Sequence, residues 1–117
     1  MNTYVKLPKK LNDRLTKQFG KSLRIGQFDY KLIFAKTIID DGNSVEGLCC
    51  SKTKVIYITH NQDPKYLQAT IIHEIGHAFC AEHGFRQMGD WAVAVEEIFV
   101  ETLSQTLTTL FKLTRQP

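Results

Sequence analysis

The residues that can do chemistry are concentrated at His73-Glu74-Ile75-Gly76-His77, an HExxH arrangement. On an α-helix, residues four apart lie on one face, one turn above the other. Two imidazoles so placed can both reach one tetrahedral zinc ion at about 2.0–2.1 Å. Glu74, beside the first histidine, points at the same space from slightly round the helix. There it can take a proton from a water activated by the ion, rather than serve as a ligand itself. The expected chemistry is metal-assisted amide hydrolysis, with His73 and His77 as ligands and Glu74 as general base. A shuffled chain of this composition would contain such a motif in roughly one case in two hundred, so two unrelated surface histidines are the weaker reading.

A catalytic zinc usually takes three protein ligands and keeps a fourth position open. Three residues downstream are candidates for the third. His83 stands six residues after His77, the metzincin spacing, but Cys80 occupies the position where those proteins turn on a glycine. The helix then continues and carries His83 away from the histidine face, near a helix C-terminus where a partial positive charge is favourable. Glu96 and Glu97 lie on the last helix of the chain. Periodicity does not decide between them: both flank the upstream end of an apolar stripe, Val100, Leu103, Leu107 and Leu110, with a slight preference for Glu96. Cys80 reads as a small packed residue, His60 as a loop residue before a helix, and Phe79 and Trp91 as core.

The elements that must position these groups can be read along the chain. Residues 8–19 form a short helix: Pro8 suits its first turn, Leu11, Leu15 and Phe19 make an i, i+4, i+8 stripe, and Gly20 ends it. Residues 23–39 are rich in β-formers and read as one or two strands, followed by a turn cluster at residues 40–44. VEGLCC and VIYIT flank the polar turn at residues 51–54 and suggest a hairpin. Asp63 and Pro64 open the motif helix, which runs to Gly84. After a six-residue loop, Gly84 to Gly89, Asp90 caps a helix from Trp91 to about Leu113. The expectation is one α+β domain over residues 1–117: an N-terminal helix, a sheet of roughly three strands, then two helices.

The chain resembles the minimal gluzincin-type metallopeptidases of bacteriophages and mobile elements, related to the ImmA/IrrE-like peptidases. The resemblance rests on Gly47-Leu48, Val55-Ile56-Tyr57-Ile58, TIIHEIGHA and EEIFVETLSQTL, in order and spacing over roughly residues 25–112. It implies a zincin-like fold and a zinc site of His73, His77 and Glu97. Glu101, one turn further, would hold the other ring N–H of a ligand histidine. It also implies a peptide or protein substrate, and the host cytoplasm as the place of action if the gene belongs to a phage.

Composition agrees with a globular domain: 43% hydrophobic and 23% charged residues. No apolar run can span a membrane, and the first eight residues lack the apolar stretch of a signal peptide, so an intracellular site of action is expected. Three cysteines without regular spacing do not make a disulfide framework or a thiolate zinc knuckle. The net charge of +3 hides an asymmetry: residues 1–36 carry nine Lys or Arg and two acids. A basic third can meet nucleic acid or an acidic partner, although a solvated lysine-rich face is the simpler expectation. A rival from another class is a binding or inhibitory module stapled by zinc without catalysis, for which Glu74 would have no use.

Overall fold

The computed structural model of the chain describes residues 2–60, 62–84 and 90–114. In chain order the elements are β1 (Asn2–Lys6), α1 (Lys9–Phe19), β2 (Ser22–Ile25), β3 (Phe28–Asp40), β4 (Asn43–Val45), β5 (Gly47–Cys50), β6 (Val55–Thr59), α2 (Pro64–Glu82) and α3 (Asp90–Thr114). Together they make an α+β domain with a mixed sheet. Among the described residues no helix is long and apolar enough to cross a membrane.

β3 is 13 residues long, and four strands pair with it. One edge takes β1 and β2, both antiparallel, along residues 35–40 and 28–31. The other takes β6 in parallel along residues 31–35 and β4 antiparallel along residues 38–40. β5 ends the sheet, antiparallel to β6. Alternation along the strands puts Tyr30, Leu32 and Phe34 of β3, with Ile56 and Ile58 of β6, on one face. They pack there against Leu15 of α1 and Leu67, Ile71 and Ala78 of α2. The pairing of β1 with β3 skips Lys36, a β-bulge. The extra residue turns Ile38 to the opposite face, where it meets Leu48, Tyr57 and Tyr4.

The sheet corrects the sequence expectation in two ways. It has six strands rather than about three, and a strand precedes the helix. β1 and β4 are too short to stand out by pattern, and both are held by pairing to β3. β4 exists because Asp41 and Gly42 both take positive φ, 51° and 81°, the two-residue turn that matches strand twist. Pro8 is the N-cap of α1 and not part of its first turn. The β5–β6 hairpin forms around residues 51–54 as expected. α3 includes Asp90, while residues 85–89 of the expected loop and the side chain of Trp91 lie outside the described residues. Phe79, expected in the core, is 47% exposed and stacks on His83. Ile72 and Cys80 of α2 are buried, and Gly76 between them packs against Val100 of α3, while Phe79 stands on the outer side.

The end of α2 is tied to the sheet by one carboxylate. Glu82 accepts hydrogen bonds from Lys54 Nζ at 2.5 Å and from the hydroxyl of fully buried Tyr30. Lys54 Nζ also lies 4.2 Å from the centre of the Phe28 ring. The Lys54 ammonium, then the Tyr30 hydroxyl, hold the Glu82 carboxyl below its ordinary value of 4.5. A carboxyl depressed in the folded state contributes stability above its unfolded value, and loses it as pH falls through the folded one. Glu82→Gln is therefore expected to lower Tm at neutral pH. Its Tm should also fall less steeply than that of the wild type between about pH 5 and pH 3. Thermal melts across that range check both.

Candidate metal centre

α2 and α3 pack antiparallel, and the pairs of touching residues give the register. Glu96 meets His77, Val100 meets Gly76, Glu101 meets His73, and Ser104 meets Ala69. Among the described side chains of α3, Ala92, Glu96, Val100 and Ser104 are the buried ones, one per turn. Gly76 makes the approach possible, since a Cβ there would sit 3.0–3.1 Å from the Val100 methyl groups. Ser104 Oγ donates to the Ala69 carbonyl at 2.7 Å, so its buried hydroxyl is satisfied within the helix pair.

The histidine face of α2 thus looks onto three carboxylates of α3. Nε2 of His73 and Nε2 of His77 lie 3.1 Å apart. Glu97 places Oε1 3.0 Å from His77 Nε2 and its other oxygen, Oε2, 3.8 Å from His73 Nε2. Each ring's other nitrogen has its own carboxylate: His77 Nδ1 is 2.5 Å from Glu96 and His73 Nδ1 is 3.2 Å from Glu101. A carboxylate at Nδ1 favours the tautomer with the proton there, which leaves the Nε2 lone pairs converging on one point together with Glu97. Two lone pairs cannot hydrogen-bond to each other, so the arrangement suits a shared cation.

The donor set fits zinc. Bonds of about 2.0–2.1 Å in a tetrahedron give a ligand–ligand edge of about 3.3 Å. His77 Nε2 stands close to that edge from both neighbours, 3.1 Å from His73 Nε2 and 3.0 Å from Glu97 Oε1, and one donor atom from each of the three residues lies within 4.8 Å of the others. Among the described residues, His73, His77 and Glu97 form the one group of this kind whose ligand atoms all lie within 4.8 Å of one another. His83 is turned elsewhere: its ring bonds the Phe79 carbonyl at 2.9 Å and is exposed. Cys80 is buried and outside the group. His60 sits at the end of the sheet, its backbone N–H donating to the Ala35 carbonyl at 3.0 Å.

Periodicity favoured Glu96 as the third donor. It is the most buried acid of the pair, yet it faces Nδ1, whereas the half-exposed Glu97 faces the two Nε2 atoms. The role of Glu96 beside His77 was missed by the sequence reading. Its place on the buried stripe was the available signal, because a buried carboxylate needs a polar partner and the nearest is a ring nitrogen.

Glu74 is 7% exposed and lies against β5. Gly47, Leu48 and Cys49 of that strand line one cleft with His73, Glu74, His77 and Glu97. The strand reaches this position through Glu46, where the chain leaves β3 and moves to the outer side of β6. The Glu46 carbonyl accepts from the Thr59 N–H at 2.9 Å and its hydroxyl at 3.1 Å. Gln62 donates to the Thr59 carbonyl at 2.7 Å and accepts from Thr70 on α2 at 2.7 Å, which fixes the helix against the strand end. Gly47 is the fitted position: a Cβ there would stand 2.8 Å from Thr70 Cγ2 and 2.9 Å from Glu74 Cγ.

Comparison with models of known families, with curated proteins and with solved structures finds no match to this chain.

Gly47→Ala is expected to lower stability by about 1–3 kcal/mol, the usual cost of overpacking. Adding Thr70→Ser removes the closest methyl group and should recover part of that loss. Urea unfolding of the single and double variants measures it.

Proposed function

We propose that this protein is a metal-dependent peptidase with a zincin-like fold, its zinc held by His73, His77 and Glu97. One observation carries the reading: two Nε2 atoms and a glutamate oxygen converge while carboxylates occupy both Nδ1 atoms. Structural zinc sites are closed by four protein ligands, whereas this donor set has three among the described residues and opens onto a cleft, as a catalytic site requires. When bound, the ion would polarise a substrate carbonyl and lower the pKa of a water toward about 7.

The chain's own residues supply the rest. Glu74 sits beside the cleft in a low-exposure position, able to take the proton of the attacking water and return it to the leaving amine. Glu96 and Glu101 fix the orientation of the two imidazoles, so that each presents Nε2. β5 is the terminal strand of the sheet and borders the cleft, which suits an extended peptide adding along it by main-chain hydrogen bonds. Beside it lies a cavity of about 410 Å³ that shares Gly47, His73 and Glu74, with Thr70, Tyr66 and Ser104 on its walls, and it has room for a substrate side chain. The kinship suggested by the sequence, to phage-type gluzincins, belongs to this same proposal.

Elemental analysis of the purified protein is expected to give about one zinc per chain, lost in His77→Ala and Glu97→Ala. Glu96→Gln and Glu101→Gln should keep zinc but weaken its affinity about 10–100-fold. Glu74→Gln should retain the metal and lose cleavage of a peptide library. Cleavage unchanged in Glu74→Gln would sink the catalytic role. A wild type that stays metal-free after zinc is added back would sink the site.

A further inference from the structure

The peptidase reading makes no use of the basic N-terminal third, and the fold gathers part of it around a cleft. β1 and β2 share one edge of β3 and leave residues 32–34 between them. α1 connects the two strands and lies beside that gap. The resulting cleft, about 580 Å³, has residues 32–34 on its floor and Lys6, Lys9, Lys21 and Lys31 around it. That volume falls within the usual range of ligand sites, about 300–1,000 Å³.

Charge in this region is not balanced from within. The two acids of the first 36 residues are already engaged, Asp13 with Lys9 at 2.8 Å and Asp29 with Arg24 at 3.2 Å. Lys6, Lys21 and Lys31 make no ion pair among the described residues. Beyond the cleft, Lys10, Arg14 and Lys17 follow one another at helical spacing on α1, all exposed. Converging cations without an internal anion repel one another and favour a polyanion. A small anion would need two or three of these groups, whereas cations that extend from the cleft onto the adjoining face of α1 suit a chain of phosphates. Tyr4 also lines the cleft, is 37% exposed, and has its ring braced by Tyr57 at 5.0 Å between centroids. A braced aromatic ring beside a basic groove can stack a base and has no matching role toward an acidic peptide.

We propose that this cleft binds single-stranded nucleic acid, with backbone phosphates on Lys6, Lys21 and Lys31 and a base against Tyr4. The proposal is independent of the metal centre. Its test is fluorescence anisotropy of a labelled oligothymidylate of about 15 nucleotides, near the upper end of common site sizes, titrated at several salt concentrations. Expected is binding whose log K falls with log salt by about 0.7 per phosphate contact. The triple variant Lys6→Gln, Lys21→Gln, Lys31→Gln should lose at least about tenfold in affinity at low salt, with a slope smaller by about 2. Tyr4→Leu should weaken binding while leaving the slope unchanged. Lys52→Gln, on the turn between β5 and β6, should bind as wild type. Circular dichroism monitors folding, and if the triple variant is not folded, Lys21→Glu alone should weaken binding in the same direction. The proposal is overturned by absence of binding at about 50 mM salt, by an unchanged affinity in the folded lysine variants, or by tighter binding to a duplex. Equal competition by polyglutamate of matched charge would overturn it too and identify an acidic protein surface instead.

Discussion

The contact between Gly76 and Val100 is the constraint from which the rest of the site follows. Helices with ordinary side chains at the crossing keep their axes 8–10 Å apart. Glycine on one side removes a Cβ at the point of closest approach, and Val100 fills the space. Only then do the short side chains of Glu96 and Glu101 reach the ring nitrogens on α2. Val100 is fully buried, so the crossing is also part of the apolar interior and not a surface hinge. The glycine inside HExxH thus serves the packing of the helix pair, while His73 and His77 on either side of it meet the carboxylates of α3. A helix with glycine at its centre gives up about 1 kcal/mol of intrinsic propensity relative to alanine. Close packing on both sides of α2 offsets it.

Placing carboxylates and imidazoles in an interface is costly unless each finds a partner. Here the partners are reciprocal. Glu96 satisfies His77, Glu101 satisfies His73, and the remaining donors turn inward together. The same principle operates at the C-terminal end of α2, where Glu82 is held by Lys54 and Tyr30. The middle of the helix is therefore held by His73–Glu101 and His77–Glu96 on either side of the Gly76–Val100 contact, and its C-terminal end by Glu82. A helix so restrained can keep two rings in register to within the tolerance a metal demands.

The sequence made the motif helix legible because HExxH, its strand-to-helix setting and the Asp63-Pro64 start all point to the same element. It made the acidic helix legible as an element, but not the division of labour upon it. Helical periodicity measures which positions are buried, and by that measure Glu96 stands out. A donor that faces an open cleft must be partly exposed, so burial selects the residue behind the histidine rather than the one in front. Glu97 was distinguished only by resemblance. β1 and β4 were illegible for a different reason: five and three residues carry too little pattern, and pairing to β3 holds them in place. The bulge at Lys36 is equally silent in the sequence, since it is a property of two strands in register and neither strand encodes it alone. Cys49, Cys50 and Cys80 are not joined in a disulfide.

The topology also accounts for the separation of charge along the chain. β6 enters the sheet between β3 and β5, parallel to the former and antiparallel to the latter, and delivers the chain directly into α2. Everything that builds the acidic cleft therefore comes from residue 46 onward, while the basic cleft is built before residue 35. β3 belongs to both halves, pairing with β1 and β2 on one edge and with β6 on the other. Glu74, Glu97 and Glu101 give one cleft a negative lining, and Lys6, Lys21 and Lys31 give the other a positive one. The two linings thus differ in sign, and the fold keeps them on separate segments of the chain.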